Sequence, residues 1–131
     1  MIKGDFSGDY ENLFLSLQDV ARDDPIREEM ESSEFSHDDG WGFVFYNKNT
    51  LIHERFMEPI FKSNIVSIPK NGILIMHARK ASENEPKGVF HSHPHVRYDR
   101  NYIVFLAHNG SFNKDILAET LNEKNKEKQR C

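Results

Sequence analysis

The sequence predicts a mixed α+β domain in which several strands are framed by a helix at each end. Three observations lead to this prediction. The segment from about Tyr10 to Arg22 has the apolar spacing of a helix with one buried face. From Trp41 onwards the chain changes to the aromatic and β-branched runs that are typical of strands. Two later segments, Gly72–Arg79 and Tyr102–His108, are apolar almost throughout, as expected for strands that are buried on both faces.

The first helix is bounded by recognisable start and stop signals. Asp9 is suited to cap its amino end, and Asp23-Asp24-Pro25 ends it. Its apolar residues follow the i, i+3, i+4, i+7 spacing of one helix face; they are Leu13, Phe14, Leu17, Val20 and Ala21. From Arg27 to Asp39 the chain is acidic and polar, which predicts a loop with at most a short helical turn.

The middle of the chain is predicted to be a hairpin followed by further strands. Trp41–Tyr46 and Thr50–Phe56 are its two strands, and Asn47-Lys48-Asn49 supplies the turn. Ile65–Ile68 is predicted as a short strand closed by Pro69.

Turn chemistry and a cap mark the last part of the chain. The segment Lys80–Gly88 is rich in Ser, Glu, Asn, Pro and Gly, so it is predicted to be a loop. Asn109-Gly110 ends the last strand, and Asn113 caps a final helix. The apolar stripe of that helix consists of Ile116, Leu117 and Leu121.

Length and composition predict a single domain and exclude several classes of protein. The chain has 131 residues and a formal charge of −4, which argues against a general nucleic-acid binder. No apolar run has the roughly 20 residues that a membrane-spanning helix needs, and no signal peptide is recognised. Cys131 is the single cysteine, which excludes an internal disulfide and predicts a reducing compartment, the cytoplasm. Both ends look cut, so we expect residues 1–131 to be one domain that is a fragment.

Two of the apolar strands end in polar residues of the kinds that an acyl-transfer site uses. One strand ends in His77 and Arg79, and the other in His108, Asn109 and Gly110. If the two strands pair, these groups meet at one rim of a sheet. An arginine can hold a carboxylate through two parallel hydrogen bonds. An Asn-Gly pair can offer an amide and a backbone N–H to an oxygen that becomes negative. The alternative is an ordinary salt-bridge arginine and a simple turn.

The segment between these strands holds a candidate metal site. His91, His93 and His95 stand at alternate positions, so in an extended segment they project to one side and could bind zinc. The alternative is that they are loop or core histidines bonded to the backbone.

Asp38 and Asp39 precede the aromatic strand, beside His37. Adjacent residues in an extended segment point in opposite directions, so the two carboxylates are not expected to share one proton. We therefore predict a structural role for them, as a turn and as a hydrogen-bond acceptor that fixes a loop.

Four motifs occur in order along the chain. They are His37-Asp38-Asp39-Gly40-Trp41-Gly42, His77-Ala78-Arg79-Lys80-Ala81-Ser82, His93-Pro94-His95 and Phe105-Leu106-Ala107-His108-Asn109-Gly110. Together they resemble the class II glutamine amidotransferases, a group of amino-terminal-nucleophile hydrolases. The resemblance covers roughly residues 36–121, and its nearest match is the small stand-alone group with an Asp-Gly-Trp-Gly stretch.

This resemblance implies an αββα sandwich of two antiparallel sheets between helical layers, here incomplete. It implies hydrolysis of the amide of glutamine, or of a γ-glutamyl compound, to glutamate and ammonia or amine. The expected partner is thus a small-molecule substrate, and neither a metal nor another cofactor is implied. By resemblance, the following residues form the site: Arg79 binds the α-carboxylate, Asn109 and Gly110 form the oxyanion hole, His93 lines the glutamine pocket, and His77 and Ser82 support it.

The chain departs from the family pattern at the nucleophile. In the family an amino-terminal cysteine attacks the amide, whereas here Met1 precedes Ile2 and no Cys, Ser or Thr follows until Ser7. The family's aspartate for the substrate α-amino group also has no counterpart before Cys131. Two explanations fit these departures: the sequence is a fragment, which we favour, or it is an inactive relative that binds an amino acid.

A second family offers a rival reading. Gly88–Pro94 also resembles the zinc-binding segment of the JAMM metallo-isopeptidases, in which His91 and His93 would be zinc ligands. The serine and aspartate that this family places further on correspond to Asn101 and Val104, so the zinc would lack its third protein ligand.

Overall fold

Four strands form the larger of two antiparallel sheets, and they lie in the order β1-β4-β2-β3. The structure, a computed structural model, describes residues 1–26, 36–110, 113 and 115–120. Its elements are β1 (Ile2–Asp5), α1 (Tyr10–Arg22), β2 (Trp41–Tyr46), β3 (Leu51–Phe56), a 3₁₀ turn (Ile60–Lys62), β4 (Asn71–Ala78), a second 3₁₀ turn (Val89–His91), β5 (His95–Tyr98) and β6 (Ile103–Leu106).

Alternate residues of the central strand β2 face opposite sides of this sheet, because side chains alternate along a strand. Trp41, Phe43 and Phe45 lie in the buried core on one side, with exposed fractions of 0%, 2% and 0%. Gly42 and Val44 therefore face the other side. β2 is paired along both edges, with β3 and with β4, which suits its aromatic and β-branched sequence.

Helix α1 covers the aromatic side of the sheet. Phe14 is fully buried, and its ring meets the Trp41 ring edge-on at a centroid distance of 5.6 Å. Gln18 is buried on the same helix, where its side-chain amide donates to the carbonyl oxygens of Ile60 (2.7 Å) and Ser63 (2.8 Å). The helix is thus attached both to the core and to the segment that follows β3.

The two-stranded sheet of β5 and β6 lies against the opposite side of the larger sheet. The His53 ring on β3 contacts the Phe105 ring at a centroid distance of 5.0 Å, and its Nε2–H donates to the Pro94 carbonyl (2.8 Å). The backbone ahead of β5 crosses β2 at Gly42, where a Cβ atom would lie 2.4 Å from the His93 carbonyl oxygen. Glycine at position 42 therefore allows the two layers to approach closely.

The layers follow the order helix, sheet, sheet, and the prediction of an incomplete α+β sandwich with two antiparallel sheets is confirmed. The predicted cap of the final helix is confirmed as well, because the Asn113 side-chain oxygen accepts from the Asp115 and Ile116 N–H groups, both at 3.1 Å. Residues 115–120 are helical and exposed. Leu121 and residues 27–35 of the predicted loop lie outside the described residues.

Three details of the predicted strands are wrong. Residues 65–68 form no strand, since the Val66 carbonyl accepts from the Tyr10 hydroxyl (2.9 Å) instead of from a neighbouring strand. The strand predicted at 102–108 is shorter and is not buried on both faces, since Val104 and Leu106 are 46% and 54% exposed. β5 was not predicted, because its sequence His95–Tyr98 has only one aliphatic residue.

Across the described ranges of the chain, no helix combines the length and the apolar character needed to cross a bilayer.

The close contact at Gly42 yields a prediction. Gly42→Ala places a methyl group against backbone atoms of His93 and Glu54, which cannot move aside as a side-chain end can. We expect the free energy of unfolding to fall by about 1–3 kcal/mol, as for other overpacked positions. Urea unfolding measures it, with Gly8→Ala as the control, because a Cβ atom at Gly8 meets nothing within 4 Å. Equal effects of the two substitutions would contradict this packing of the layers.

Candidate active site

The pairing of β2 with β4 continues beyond the end of β4. The Arg79 N–H donates to the Gly40 carbonyl (2.8 Å), and the Asp39 N–H donates to the Arg79 carbonyl (3.0 Å). These bonds extend the ladder in which Trp41 faces Ala78. They fix the Arg79 backbone at the rim of the sheet, where its side chain is buried with 7% of the residue exposed.

The Arg79 guanidinium group is only partly engaged by the described residues. Its Nη2 lies 3.4 Å from a carboxylate oxygen of Glu85. Its Nη1 is buried and has no hydrogen-bond partner among residues 1–26, 36–110, 113 and 115–120. A buried donor without a partner costs free energy, and an arginine donates most strongly to an anion. The geometry therefore suits Arg79 to bind an anionic group at this rim.

Asp39 fixes the loop that follows Arg79. One carboxylate oxygen accepts from the Ala81 N–H (2.9 Å), and the other contacts Lys87 Nζ (2.5 Å). Burial alone would raise the pKa of Asp39, but these hydrogen bonds outweigh it and hold the pKa below its ordinary value. The carboxylate is therefore ionised at neutral pH and has the structural, loop-fixing role that the sequence predicts. Asp38 pairs with Lys80 at 3.2 Å.

The buried residues of the segment His91–His95 pack against β2 and β3. Ser92 and His93 are 0% and 6% exposed, and Pro94 is among the fully buried side chains. A Cβ atom at Gly40 would lie 2.7 Å from Ser92 Oγ, so this segment also depends on glycine ahead of β2. His91, in contrast, is exposed.

Four histidine rings cluster beside this segment, with His93 at their centre. Its ring centroid lies 4.4 Å from that of His77 and 4.5 Å from those of His95 and His108. Burial, with further contributions from neighbouring cations, lowers the pKa of His77 to about 4 and that of His93 to about 3. Burial lowers the pKa of His95 too. His77 and His93 are therefore neutral at pH 7.

The histidine rings pack against one another instead of converging on a common point. Within the described part of the chain, no group of three or more His, Cys, Asp or Glu side chains is placed to hold a metal ion. The alternating spacing of His91, His93 and His95 does not by itself produce a zinc site, since one of the three is exposed and the others pack ring against ring.

The Asn-Gly pair lies at the same rim as Arg79, but it reaches the rim from the second sheet. His77 Nε2–H donates to the His108 carbonyl (3.1 Å), which joins β4 to the backbone just before Asn109. The expectation that the two strands pair in one sheet is wrong, since β4 pairs with β1 and β2 while β6 pairs with β5. Asn109 and Gly110 are exposed.

Gly110 adopts a backbone conformation that favours glycine, with φ of 104°. A Cβ atom there would meet nothing within 4 Å.

A family model described as "Glutamine amidotransferases class-II" matches residues 28–127, which is more than half of the 131 residues. The chain belongs to this family. No curated protein sequence and no solved structure was found to be similar to it. Membership supports a function of the glutamine amidotransferase type in general.

The position of Ser82 differs from that of the other predicted site residues. It lies exposed in the loop after Arg79, where its carbonyl accepts from the Glu85 N–H at 3.0 Å. His77, Arg79 and His93 are brought together near the rim, whereas Ser82 makes a turn.

Three contributors to the site were not predicted from the sequence. Glu85 pairs with Arg79, Lys87 pairs with Asp39, and His53 holds the Pro94 carbonyl. Nothing in the sequence distinguishes Glu85 and Lys87 from other charged loop residues, because the composition of a loop does not show which of its charged side chains face the site. His53 stands in the mixed sequence of β3, where Glu54 and Arg55 follow it, so no regular alternation marks it as lying on a packed face.

The neutral histidines predict how stability depends on pH. An unfolded histidine has a pKa near 6.5, whereas those of His77 and His93 are about 4 and about 3. Between pH 6.5 and 4 the unfolded chain therefore binds protons that the folded chain does not. The free energy of unfolding is therefore highest above pH 6.5 and decreases as the pH is lowered. The decrease is about 1.4 kcal/mol per pH unit for each proton that only the unfolded chain binds.

Urea unfolding at several pH values between 7 and 4 measures this slope. His93→Gln removes one of the excluded protons, so the slope should become shallower. The control is His91→Gln, at an exposed position of the same segment. Identical slopes for the two variants would contradict the burial of a neutral His93.

Proposed function

We propose that this rim binds glutamine or a γ-glutamyl compound, and that the active protein hydrolyses the γ-amide to glutamate and ammonia or amine. The observation that carries the proposal is the buried Arg79, whose Nη1 has no hydrogen-bond partner among the described residues. In a chain of this family, the α-carboxylate of the substrate is the anion that Arg79 would receive, through charge-assisted hydrogen bonds.

The opposite end of the substrate would lie against Asn109 and Gly110. When a nucleophile attacks the γ-carbonyl carbon, the carbonyl oxygen becomes negative. The Asn109 side-chain amide and the Gly110 N–H are donors of the kind that stabilise such an oxyanion. Their exposure supports this role.

The neutral histidines would form the wall between the two ends of the site. His77 ties the backbone before Asn109 to the strand that carries Arg79, through its bond to the His108 carbonyl. His93 packs against His77 and is 6% exposed. Because both rings are uncharged at pH 7, they can contact the aliphatic part of a glutamine side chain without a desolvated charge. Ser82 would contribute only through the turn of the adjoining loop, in which its carbonyl accepts from the Glu85 N–H.

The nucleophile of the proposed reaction would be an amino-terminal cysteine, as in the family. Ile2 pairs with Leu74 in an antiparallel ladder, and His77 stands three residues further along β4. The amino end of β1 is therefore directed toward the rim. The thiol sulfur would attack the γ-carbonyl carbon, its proton would pass through the α-amine to the leaving ammonia, and water would hydrolyse the thioester. A reducing compartment such as the cytoplasm suits this thiol.

Calorimetric titration with L-glutamine tests the proposed function. Arg79→Ala should weaken binding by about 2–5 kcal/mol, which is thirtyfold or more, since it removes the partner of a desolvated carboxylate. The affinity of Arg79→Lys for glutamine should lie between those of the unaltered protein and of Arg79→Ala, because lysine keeps the charge but lacks the planar guanidinium group.

The matched control is Arg97→Ala, on an exposed position of β5, which should bind as the unaltered protein does. If Arg79→Ala binds glutamine as tightly as Arg97→Ala does, the pocket lies elsewhere and the proposal fails.

A further inference from the structure

We propose that Asn109 is a site of spontaneous deamidation, in which its side chain closes a succinimide ring with the Gly110 nitrogen. The chain contains two Asn-Gly pairs, Asn71-Gly72 and Asn109-Gly110. Glycine after asparagine favours ring closure, because it has no Cβ atom to hinder the approach of its nitrogen. The sequence therefore offers two candidates for this modification, and the structure distinguishes between them.

The reaction needs no reactant other than water. The Gly110 nitrogen gives its proton to hydroxide and attacks Asn109 Cγ, and the bond between Cγ and Nδ2 breaks. Nδ2 takes up a proton from water and leaves as ammonia. Water then opens the ring at one of its two carbonyl groups, which leaves either aspartate or isoaspartate at position 109. The chain thus gains a water molecule and loses an ammonia molecule.

The backbone at Asn109 can rotate as ring closure requires. Both Asn109 and Gly110 are exposed, and they lie beyond the β5–β6 ladder, whose last pair is His95 with Leu106. Among the described residues, neither the Asn109 side chain nor the Gly110 N–H has a hydrogen-bond partner. The bond from His77 to the His108 carbonyl lies on the amino side of Asn109. Rotation that brings the Gly110 nitrogen toward Cγ therefore leaves that bond in place.

The pair Asn71-Gly72 lies instead within β4, which is paired along both edges. Gly72 faces Gly4 in the ladder with β1. Two residues away in the same register, the Phe6 N–H donates to the Lys70 carbonyl (3.0 Å). Every second pair of an antiparallel ladder is hydrogen-bonded, so the Gly72 nitrogen donates to Gly4. It cannot turn toward the Asn71 side chain unless the ladder opens.

Strand β2 restrains the same pair from the other edge. A Cβ atom at Gly72 would lie 2.5 Å from the Tyr46 carbonyl oxygen and 2.7 Å from the Phe45 ring. The Asn47 side-chain amide donates to the Asn71 carbonyl (3.3 Å). Asn71 is exposed, as Asn109 is, so exposure does not separate the two asparagines. The difference between them is the freedom of the glycine nitrogen that follows.

The modification would change the chemistry of the rim. An asparagine amide donates hydrogen bonds, whereas a carboxylate only accepts them. If Asn109 stabilises an oxyanion, its conversion to aspartate or isoaspartate replaces a donor with a negative charge and stops catalysis. This consequence rests on the proposed function, but the deamidation itself does not.

Peptide mass spectrometry of the folded protein, incubated at constant neutral pH, tests the proposal. Trypsin cleaves after Lys and Arg, so the two pairs fall in separate peptides, Asn71–Arg79 and Asn101–Lys114. Fragmentation then assigns the replacement of an amide NH₂ by a hydroxyl group to one residue. Deamidation at Asn109 should be more than about tenfold faster than at Asn71, because Asn71 reacts only when the ladder opens locally.

The matched control is the same incubation in urea, in which the two rates should agree within about threefold, because neither backbone is then restrained by the fold. A sample digested without incubation gives the background, and Asn109→Gln should show no modification at position 109, because glutamine would have to close a larger ring. Equal rates at Asn71 and Asn109 in the folded protein would overturn the inference. So would an Asn109 that is modified in urea but not in the folded protein. No glutamine is present, so a failure of the proposed function would leave this result unchanged.

Discussion

The pairing of β2 with β4 is the interaction on which the rest of this structure depends. Where β4 ends, two more backbone hydrogen bonds join Arg79 to Gly40 and Asp39, so a charged residue is drawn into a buried position at the rim. Burying a guanidinium group is costly unless it is paired. Asp39, fixed by the same bonds, directs its carboxylate to the loop that brings Glu85 to Arg79. The extended β2–β4 ladder thus fixes both the buried position of Arg79 and the loop whose Glu85 pairs with it.

The second sheet completes the rim because glycine lets it approach. The backbone of His93 occupies the space that a side chain at position 42 would need. Close to this contact, His53 donates to the Pro94 carbonyl and His77 donates to the His108 carbonyl, both in the second layer. These polar contacts between the layers bring the backbone just before the Asn-Gly pair, which follows β6, to the end of β4. The same packing allows several histidine rings to lie close together without charge repulsion, because burial keeps the rings of His77 and His93 neutral.

Much of this architecture could be predicted from sequence, wherever a local pattern decided the outcome. The helical spacing around Phe14 and the aromatic run Trp41–Tyr46 each belong to a single segment, and both elements have the predicted bounds. On the predicted helix face, however, Leu13 and Val20 are 37% and 49% exposed. The meeting of His77 with the backbone before Asn109 was predicted for the wrong reason, because strand order is a long-range property that residue types do not encode. The burial of β6 was overestimated for the same reason, as an apolar strand does not reveal how many layers cover it. Glu85 escaped notice because only the folded loop shows which of its charges faces Arg79.

The central claim is that Arg79 holds the carboxylate of a glutamine-like ligand, and removing that carboxylate tests it most directly. Calorimetry would compare L-glutamine with 4-aminobutanamide, its analogue without the α-carboxylate, on the unaltered protein and on Arg79→Ala. The account predicts that the unaltered protein prefers glutamine by about thirtyfold or more and that Arg79→Ala has almost no preference, because the two deletions remove the same interaction. A preference for glutamine that persists undiminished in Arg79→Ala would contradict the account.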